Sequence, residues 1–486
     1  MAAKNGAFDP ASDGSSRTVV AIVGGGFTGG AVAWHLASRL PAGAARIVVF
    51  EPRERLGAGL AYDTSDPVHR INVPAVKMSI DPALPEHFAA WLDATGALSD
   101  DPDARADDGE LYPRRQVFGR YVDAQVGPLV VKGLIEHHRQ HVAAVERAGG
   151  GWYITTDGGE TLAADIVVIA TSHPSPAAPK MLASILEGHP RFVADATVPN
   201  ALKSIRRDDA VLVVGNGLTS ADVIASLTAA GHTGAVTAIS RRGLRSRGHA
   251  PRLQEPHGDF SGRPIRSIRL LTRRIREAIR QAAVFDVSWH AVLDAVRAQV
   301  PAIWQNLPVE ERRRAVRHLR PFWDVHRFRI APQVEHALDE AVLNGRLDIL
   351  AASVAAVSYH EGRIRVALKL AHGRGTRIRD FDAVVVTTGP AHGGILDSQS
   401  FLSHLAADGI IHADPARLGI ACDMDSQALD RANRPVDGLY IAGPLARGTF
   451  GELMGLPQVS EHAKTVAGRI IALVEKEQAA ASFSAA

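Results

Sequence analysis

Two stretches of the chain join a short unbroken apolar run to a glycine-rich turn and then to apolar positions at helical spacing. In the first, residues 19–23 are apolar and Gly24-Gly25-Gly26-Phe27-Thr28-Gly29 follows at once. Ala33, Leu36 and Leu40 continue the pattern as a helix, which Pro41 and Gly43 end. Residues 47–50 then read as a second buried strand, with Glu51 at its end. The second stretch repeats this order: residues 211–214, then Gly215-Asn216-Gly217-Leu218-Thr219-Ser220, then a helix over 221–230 closed by Gly231, then a strand over 236–240. Strand–helix–strand units of this kind build parallel sheets. The pattern predicts an α/β fold with two Rossmann-like dinucleotide-binding domains. The two turns start 191 residues apart, too far for a short repeat.

The stretches between them are less regular. Residues 52–113 read mostly as loop, with a short helix at 87–92. Asp100, Asp101, Asp103, Asp107, Asp108 and Glu110 face one Arg105, the composition of a solvated surface loop. Residues 118–141 read as a helix, a strand and a second short helical stretch. Residues 151–156 and 159–162 form a predicted hairpin, and 164–170 a further apolar strand. Ile268, Leu271, Ile275, Ile279 and Ala282 step by three or four, which marks one helical face, and more helix follows at 288–305 and 309–320. That region holds 13 Arg and five acids between Gly262 and Arg320, read as a solvated helix face, with a ligand-facing charge patch as the alternative. Strands return at 363–369 and 382–388, and 459–477 is an amphipathic helix.

Composition narrows the function classes. The 486 residues carry a net charge of +2, which gives no global drive toward nucleic acid or an anionic membrane. No stretch reaches the ~18 apolar residues that span a bilayer, and the first 16 residues lack the apolar core of a secretory signal. A cytoplasmic protein is the expectation, with oligomerisation open. Cys422 is the single cysteine, so no intramolecular disulfide, C-x-x-C pair or thiolate zinc site exists. No H-E-x-x-H or G-x-S-x-G motif occurs, and no metal is expected.

The chemistry lies in the turns. Gly24-x-Gly26-x-x-Gly29 stands between strand and helix, and Glu51 follows 22 residues after Gly29. Glycines there permit a tight turn and close approach of backbone to a pyrophosphate, while the helix N-terminus offers N–H groups to the anion. Glu51 is placed to accept hydrogen bonds from a ribose. In Gly215-x-Gly217-x-x-Ser220 the third glycine is a serine, and the next strand ends in Ser240-Arg241-Arg242. Arg241 occupies the position where an acid would hold a ribose 2′-hydroxyl, and an arginine there suits the 2′-phosphate of NADPH. Two apolar strands are alike, Asp165-Ile-Val-Val-Ile-Ala-Thr171 and Asp382-Ala-Val-Val-Val-Thr-Thr388-Gly389, and each closes a stretch that one glycine turn opened.

These features together resemble two-dinucleotide flavoproteins. Within that superfamily the chain looks like the bacterial FAD/NAD(P)-binding family related to the lysine and ornithine N-hydroxylating monooxygenases. The matching segments are Gly57-Ala-Gly59-Leu-Ala-Tyr62, Ile71-Asn72-Val-Pro74 with Met78-Ser79, Pro113-Arg-Arg115 with Gly119-Arg-Tyr121, Gly215–Thr219 with Asp222, Ser240-Arg-Arg-Gly243, Phe322-Trp-Asp-Val-His-Arg327 and the segment from Leu439 to Gly443. The resemblance implies a discontinuous FAD domain at 17–205 and 391–477, an NAD(P) domain at 206–258 and 346–390, a helical insertion at 259–345, and disordered tails at 1–16 and 478–486. It places Gly24, Gly26, Phe27, Thr28, Gly29, Glu51, Gly59, Tyr62, Asn72 and Gly443 at the FAD. It places Gly215, Gly217, Thr219, Ser220, Arg241, Arg242 and Gly389 at NADPH. The superfamily's C-terminal motif ends Gly-Asp, whereas this chain has Gly443-Pro444. His326, Arg327 and Asn72 are the candidate catalytic residues, with His326, Arg327 and Arg329 expected to orient an anionic group.

The function implied is an FAD-dependent, NADPH-using monooxygenase acting through a flavin C4a-(hydro)peroxide on a small nitrogen-containing substrate, an amine or amino acid, with O₂. Two alternatives stay open at this point. One is a flavin oxidase or dehydrogenase with a vestigial NAD(P) domain. The other is a non-enzymatic dinucleotide-binding redox sensor.

Overall fold

The computed structural model describes residues 17–174, 176, 178–389 and 394–485; the expected tail at 1–16 lies outside them. The chain opens with β1 (Thr18–Val23), α1 (Phe27–Arg39) and β2 (Ala45–Phe50). The loop-rich stretch that follows carries α2 (Gly59–Tyr62), α3 (His87–Thr95) and α4 (Arg115–Val131). Five strands come next: β3 (Glu136–His138), β4 (Val142–Ala148), β5 (Gly151–Thr156), β6 (Thr161–Ala164) and β7 (Ile166–Ile169). The short helix expected before residue 141 is absent, because that segment enters β4, whose partner is β5.

After α5 (Lys180–Leu186) and β8 (Phe192–Val193), the second unit runs β9 (Val211–Val214), α6 (Leu218–Ala229) and β10 (Val236–Ser240). Five helices interrupt it: α7 (Ile268–Ala283), α8 (Trp289–Asn306), α9 (Val309–Arg314), α10 (Arg320–Arg327) and α11 (Pro332–Leu343). The strands resume as β11 (Leu347–His360), β12 (Arg363–Leu370), β13 (Thr376–Phe381) and β14 (Ala383–Val386). The chain ends with α12 (Ser400–Ala407), β15 (Gln427–Leu429), β16 (Pro435–Ile441), α13 (Arg447–Phe450) and α14 (Gln458–Ala485). Helix α14 takes in residues 478–485, which the sequence reading assigns to a tail. Ala- and Ser-rich composition there is compatible with helix, and Gln478 is anchored on the Ala44 carbonyl at 3.1 Å.

The strands sort into two large sheets. One has the order β15-β16-β7-β1-β2-β3, so strands from both ends of the chain share it. The other has the order β13-β12-β11-β10-β9-β14-β8. Its edge strand β8 precedes residue 206, so the polypeptide enters this sheet earlier than the sequence reading places it. A separate antiparallel sheet, β4-β5-β6, flanks the first. In both large sheets the central strands are parallel and largely buried, as βαβ crossovers require.

The aspartates that open the two look-alike strands do the same job in each sheet. Asp165 Oδ2 accepts the Val19 N–H at 2.7 Å, and Asp382 Oδ2 accepts the Ala210 N–H at 2.8 Å. Each therefore ties the closing strand to the start of the strand that its own glycine turn follows. The C-terminal helix α14 packs on α1 through Val466, Ala467, Ile470 and Val474, all fully buried. At roughly 1.5–3 kcal/mol for burying each large aliphatic side chain, this seam holds the two ends of the chain together.

Candidate cofactor and substrate site

The first glycine turn is sterically committed to its sequence. Gly24 has φ of +99°, and a Cβ there would sit 2.8 Å from the Ala170 carbonyl oxygen at the end of β7. A Cβ on Gly29 would overlap the Gly24 carbonyl oxygen. Gly26 is the N-cap of α1, has no capping side chain, and is followed by a first turn without acidic residues. The orphan N–H groups of Phe27, Thr28 and Gly29 thus meet no side-chain acceptor among the described residues, which is the condition for binding a phosphate. Glu51 is buried at the end of β2. Its Oε2 accepts the Gly25 N–H at 3.0 Å, and its Oε1 accepts from Arg53. Three of about four acceptor positions are occupied, which leaves the carboxylate one for a ribose hydroxyl.

The C-terminal segment meets this turn directly. Gly443 follows β16 with φ of +68°, and a Cβ there would overlap Thr28 Oγ1 in the first turn of α1. The residue after this glycine is Pro444, and a histidine from α14 holds the glycine backbone. The Gly443 N–H donates to His462 Nδ1 at 3.0 Å, so the ring proton is on Nε2 and is donated to Ser426 Oγ at 3.0 Å. Burial holds the His462 pKa down at about 4, so the ring is neutral. No motif marks His462, which lies 19 residues from Gly443 and is one of 21 histidines.

The second turn repeats the geometry of the first. Gly215 has φ of +122°, and a Cβ would lie 2.5 Å from the Thr387 carbonyl oxygen at the end of β14. Ser220, in the third position, is fully buried. Gly217 caps α6 without a side-chain bond and has open space where a Cβ would be. Thr219 is half-buried in the first turn of α6, and Gly389 is exposed just beyond β14. Arg241 and Arg242 are exposed beyond β10. The Arg242 guanidinium lies 4.7 Å from the centroid of the Phe322 ring, whereas Arg241 makes no hydrogen bond or ion pair among the described residues.

The loop after β2 lies against the first turn. Gly59 would press a Cβ to 2.9 Å from Gly26 Cα. The Tyr62 ring meets Phe118 at 4.6 Å and Phe27 at 6.4 Å between centroids, and burial pushes its phenol up to about 12. Asn72 is held on two sides. Its Oδ1 accepts the Ala331 N–H at 3.2 Å, and its carbonyl accepts from His249 Nε2 at 3.1 Å, so it joins this loop to the start of α11. Asp101 departs from the solvated loop expected of its neighbours. It is buried in a bidentate pair with Arg70, at 2.8 and 3.0 Å. An acid-rich composition does not distinguish the one carboxylate that has an arginine to bury with.

His326 and Arg327 are adjacent in sequence and diverge in space. His326 is half-buried, donates from Nδ1 to the Phe322 carbonyl at 2.7 Å, and stands edge-on to Trp289. Arg327 turns inward and pairs with Glu452 at 2.6 Å, the two side chains 5% and 1% exposed. Burial opposes the Glu452 charge, but Arg327, Arg297 and Arg447 outweigh it and hold this carboxyl below its usual range. Arg329 pairs with Asp294 at 2.8 Å. No sequence motif marks Glu452, Arg297 or Arg447.

Residues 21–174 match the FAD-NAD(P)-binding family. No curated protein sequence matches the chain. Among solved structures, L-lysine 6-monooxygenase from Pseudomonas syringae is similar at 18% identity and a TM-score of 0.60, over 95% of this chain and 99% of that one. Ornithine hydroxylase from Pseudomonas aeruginosa is similar at 16% identity and a TM-score of 0.59, over 94% and 98%. Ornithine N-hydroxylase from Kutzneria sp. 744, described with reduced FAD, NADP⁺ and L-ornithine, is similar at 16% identity and a TM-score of 0.59, over 95% and 99%. At these identities the likeness establishes the fold alone. Among the described residues no helix is long and apolar enough to cross a membrane, and no group of three or more His, Cys, Asp or Glu is placed to hold a metal.

Proposed function

We propose that this protein is an FAD-dependent, NADPH-using monooxygenase whose substrate is a small nitrogen-containing molecule. The observation that carries this reading is the pair of uncapped helix N-termini behind Gly24–Gly29 and Gly215–Ser220, one followed by buried Glu51 and the other by exposed, unpaired Arg241. An acid at the first site suits a ribose, and a free guanidinium at the second suits a 2′-phosphate. Bound FAD supplies two-electron redox chemistry and, when reduced, a means of activating O₂.

The protein's own residues bind, orient and exclude water. The α1 N-terminus holds the FAD pyrophosphate, and His462 fixes Gly443 against Thr28, so that the backbone there presents one fixed surface to the cofactor. Phe27, Tyr62 and Phe118 form an apolar wall that keeps water from the same turn. The α6 N-terminus and Arg241 hold NADPH. The structural neighbours act on lysine and ornithine, which supports an amine or amino acid here.

NADPH consumption screened against amines and amino acids, with peroxide release and product measured in parallel, tests the oxygenation. One substrate that lowers peroxide release and yields an oxygenated product in matching amount is the expected result. Peroxide equal to NADPH consumed for every candidate overturns oxygenation of those candidates.

A further inference from the structure

Four arginines and two carboxylates meet where helices α8 and α10 pack on the segment after β16. Arg327 pairs with Glu452 at 2.6 Å, and Arg320 pairs with Asp324 at 3.1 Å. Arg297 and Arg447 have no carboxylate within 4 Å among the described residues. Arg447 is 3% exposed; its Nε reaches only the Gly451 carbonyl, at 3.5 Å, and its Nη1 meets no acceptor. Arg297 gives one nitrogen to the Leu456 carbonyl at 2.9 Å and to Gln458 Oε1 at 2.5 Å, while its Nε meets none. Glu452 Oε2 also meets no donor.

A buried guanidinium without a counterion costs several kcal/mol. Arginine does not escape that cost by losing its proton. Burial, with Arg327 adding to it, brings Arg297 down only to about 9, so it stays charged at neutral pH. Two forked donors without an anion are the arrangement that recognises a carboxylate or phosphate. With each carboxylate of the cluster assigned to one arginine, two positive charges remain, and a group with two negative charges balances them.

The cluster is also tied to the cofactor turn. Arg297 grips the N-terminus of α14 at Leu456 and Gln458, and the next turn of that helix supplies His462 to Gly443. The insertion helices and the C-terminal segment therefore meet beside the end of the chain that closes the FAD site.

We propose that Arg297 and Arg447 form a buried anion-recognition site beside the cofactor turn, and that the substrate carries a dianionic head group, a dicarboxylate or a phosphate. This rests on the oxidoreductase reading above. The test is calorimetric titration of the FAD-loaded full chain with acetate, succinate and inorganic phosphate at constant ionic strength. Succinate or phosphate should bind saturably and at least ten-fold more tightly than acetate, and which of the two prevails identifies the head group. Arg447→Gln should weaken that binding at least ten-fold, and Arg447→Lys should weaken it less. Arg263→Gln, at an exposed position, should leave it unchanged. No saturable binding of either dianion, acetate binding as tightly as both, or unchanged affinity in Arg447→Gln overturns the inference. Should Arg447→Gln fail to fold, unchanged affinity in Arg447→Lys, which keeps the charge and loses the fork, overturns it. Reduction of the flavin by NADPH, read on the same samples, separates the two claims. Reduction without anion binding faults this inference, and anion binding without reduction faults the oxidoreductase reading.

Discussion

The guanidinium of Arg115, at the start of α4, forms a two-pronged pair with the carboxylate of Asp222 on α6, at 2.8 and 3.0 Å. Arg115 opens a helix in the part of the chain that carries the first glycine turn, and Asp222 lies on the helix that opens at the second. Arg115 Nε also donates to the Arg70 carbonyl at 2.8 Å, and Arg70 is itself locked on Asp101. The pair is thus the end of a polar chain that fixes one dinucleotide module on the other. With both side chains largely shielded from water, removing either partner strands a charge.

Arg115→Ala and Asp222→Ala should each lower the thermal midpoint and slow flavin reduction by NADPH, because hydride transfer needs the modules held in register. A double-mutant cycle should give a coupling of about 1–3 kcal/mol. Additive single effects would show that the two modules are held by packing alone.

The two glycine turns differ in what they tolerate. Gly29→Ala drives a methyl into the Gly24 carbonyl and should cost about 1–3 kcal/mol, with loss of FAD on purification. Gly217→Ala points its methyl into open space, so the thermal midpoint should hold while NADPH affinity falls. Flavin content, melting and NADPH titration of the two variants check this directly.

Arg241→Gln should raise the KM for NADPH about ten-fold or more while leaving that for NADH near its starting value. Hydrogen bonds to a charged group contribute about 1.5–3 kcal/mol, and only NADPH carries the phosphate that makes them. Equal effects on both cofactors would place Arg241 outside the 2′-phosphate site.

Both glycine turns, their flanking strands and the insertion helices were legible because each rests on local pattern: an apolar run, a turn that only glycine permits, a period of three to four. The look-alike strands were legible as a repeat, but the role of Asp165 and Asp382 was not, since each clasps a backbone N–H distant in sequence. The same limit hid His462, Glu452, Arg297 and Arg447. No motif marks them, and the bonded partners of His462, Glu452 and Arg297 lie 19 to 161 residues away. Asn72 and His326 stand in matching motifs, yet their hydrogen bonds hold α11 and a helical turn of α10.

Stability should fall as the pH drops from 6.5 towards 4. Burial lowers the pKa of His35 and His462 to about 4, from 6.5 for an exposed histidine. Between those values the unfolded chain binds protons that the folded chain does not, so unfolding takes up protons and acid favours it. Above 6.5 neither state is protonated and this contribution is level. Melting measured across the range should show the decline, and His462→Gln should make it shallower. An unchanged slope would mean that His462 is charged in the fold.

The central claim, that one chain binds FAD and NADPH and passes electrons between them, is tested most directly by anaerobic titration of the purified flavoprotein with NADPH. One equivalent of NADPH should bleach the yellow flavin absorbance, and NADH should do so far less readily. Flavin that stays yellow under excess NADPH would contradict it and leave the second module as a scaffold.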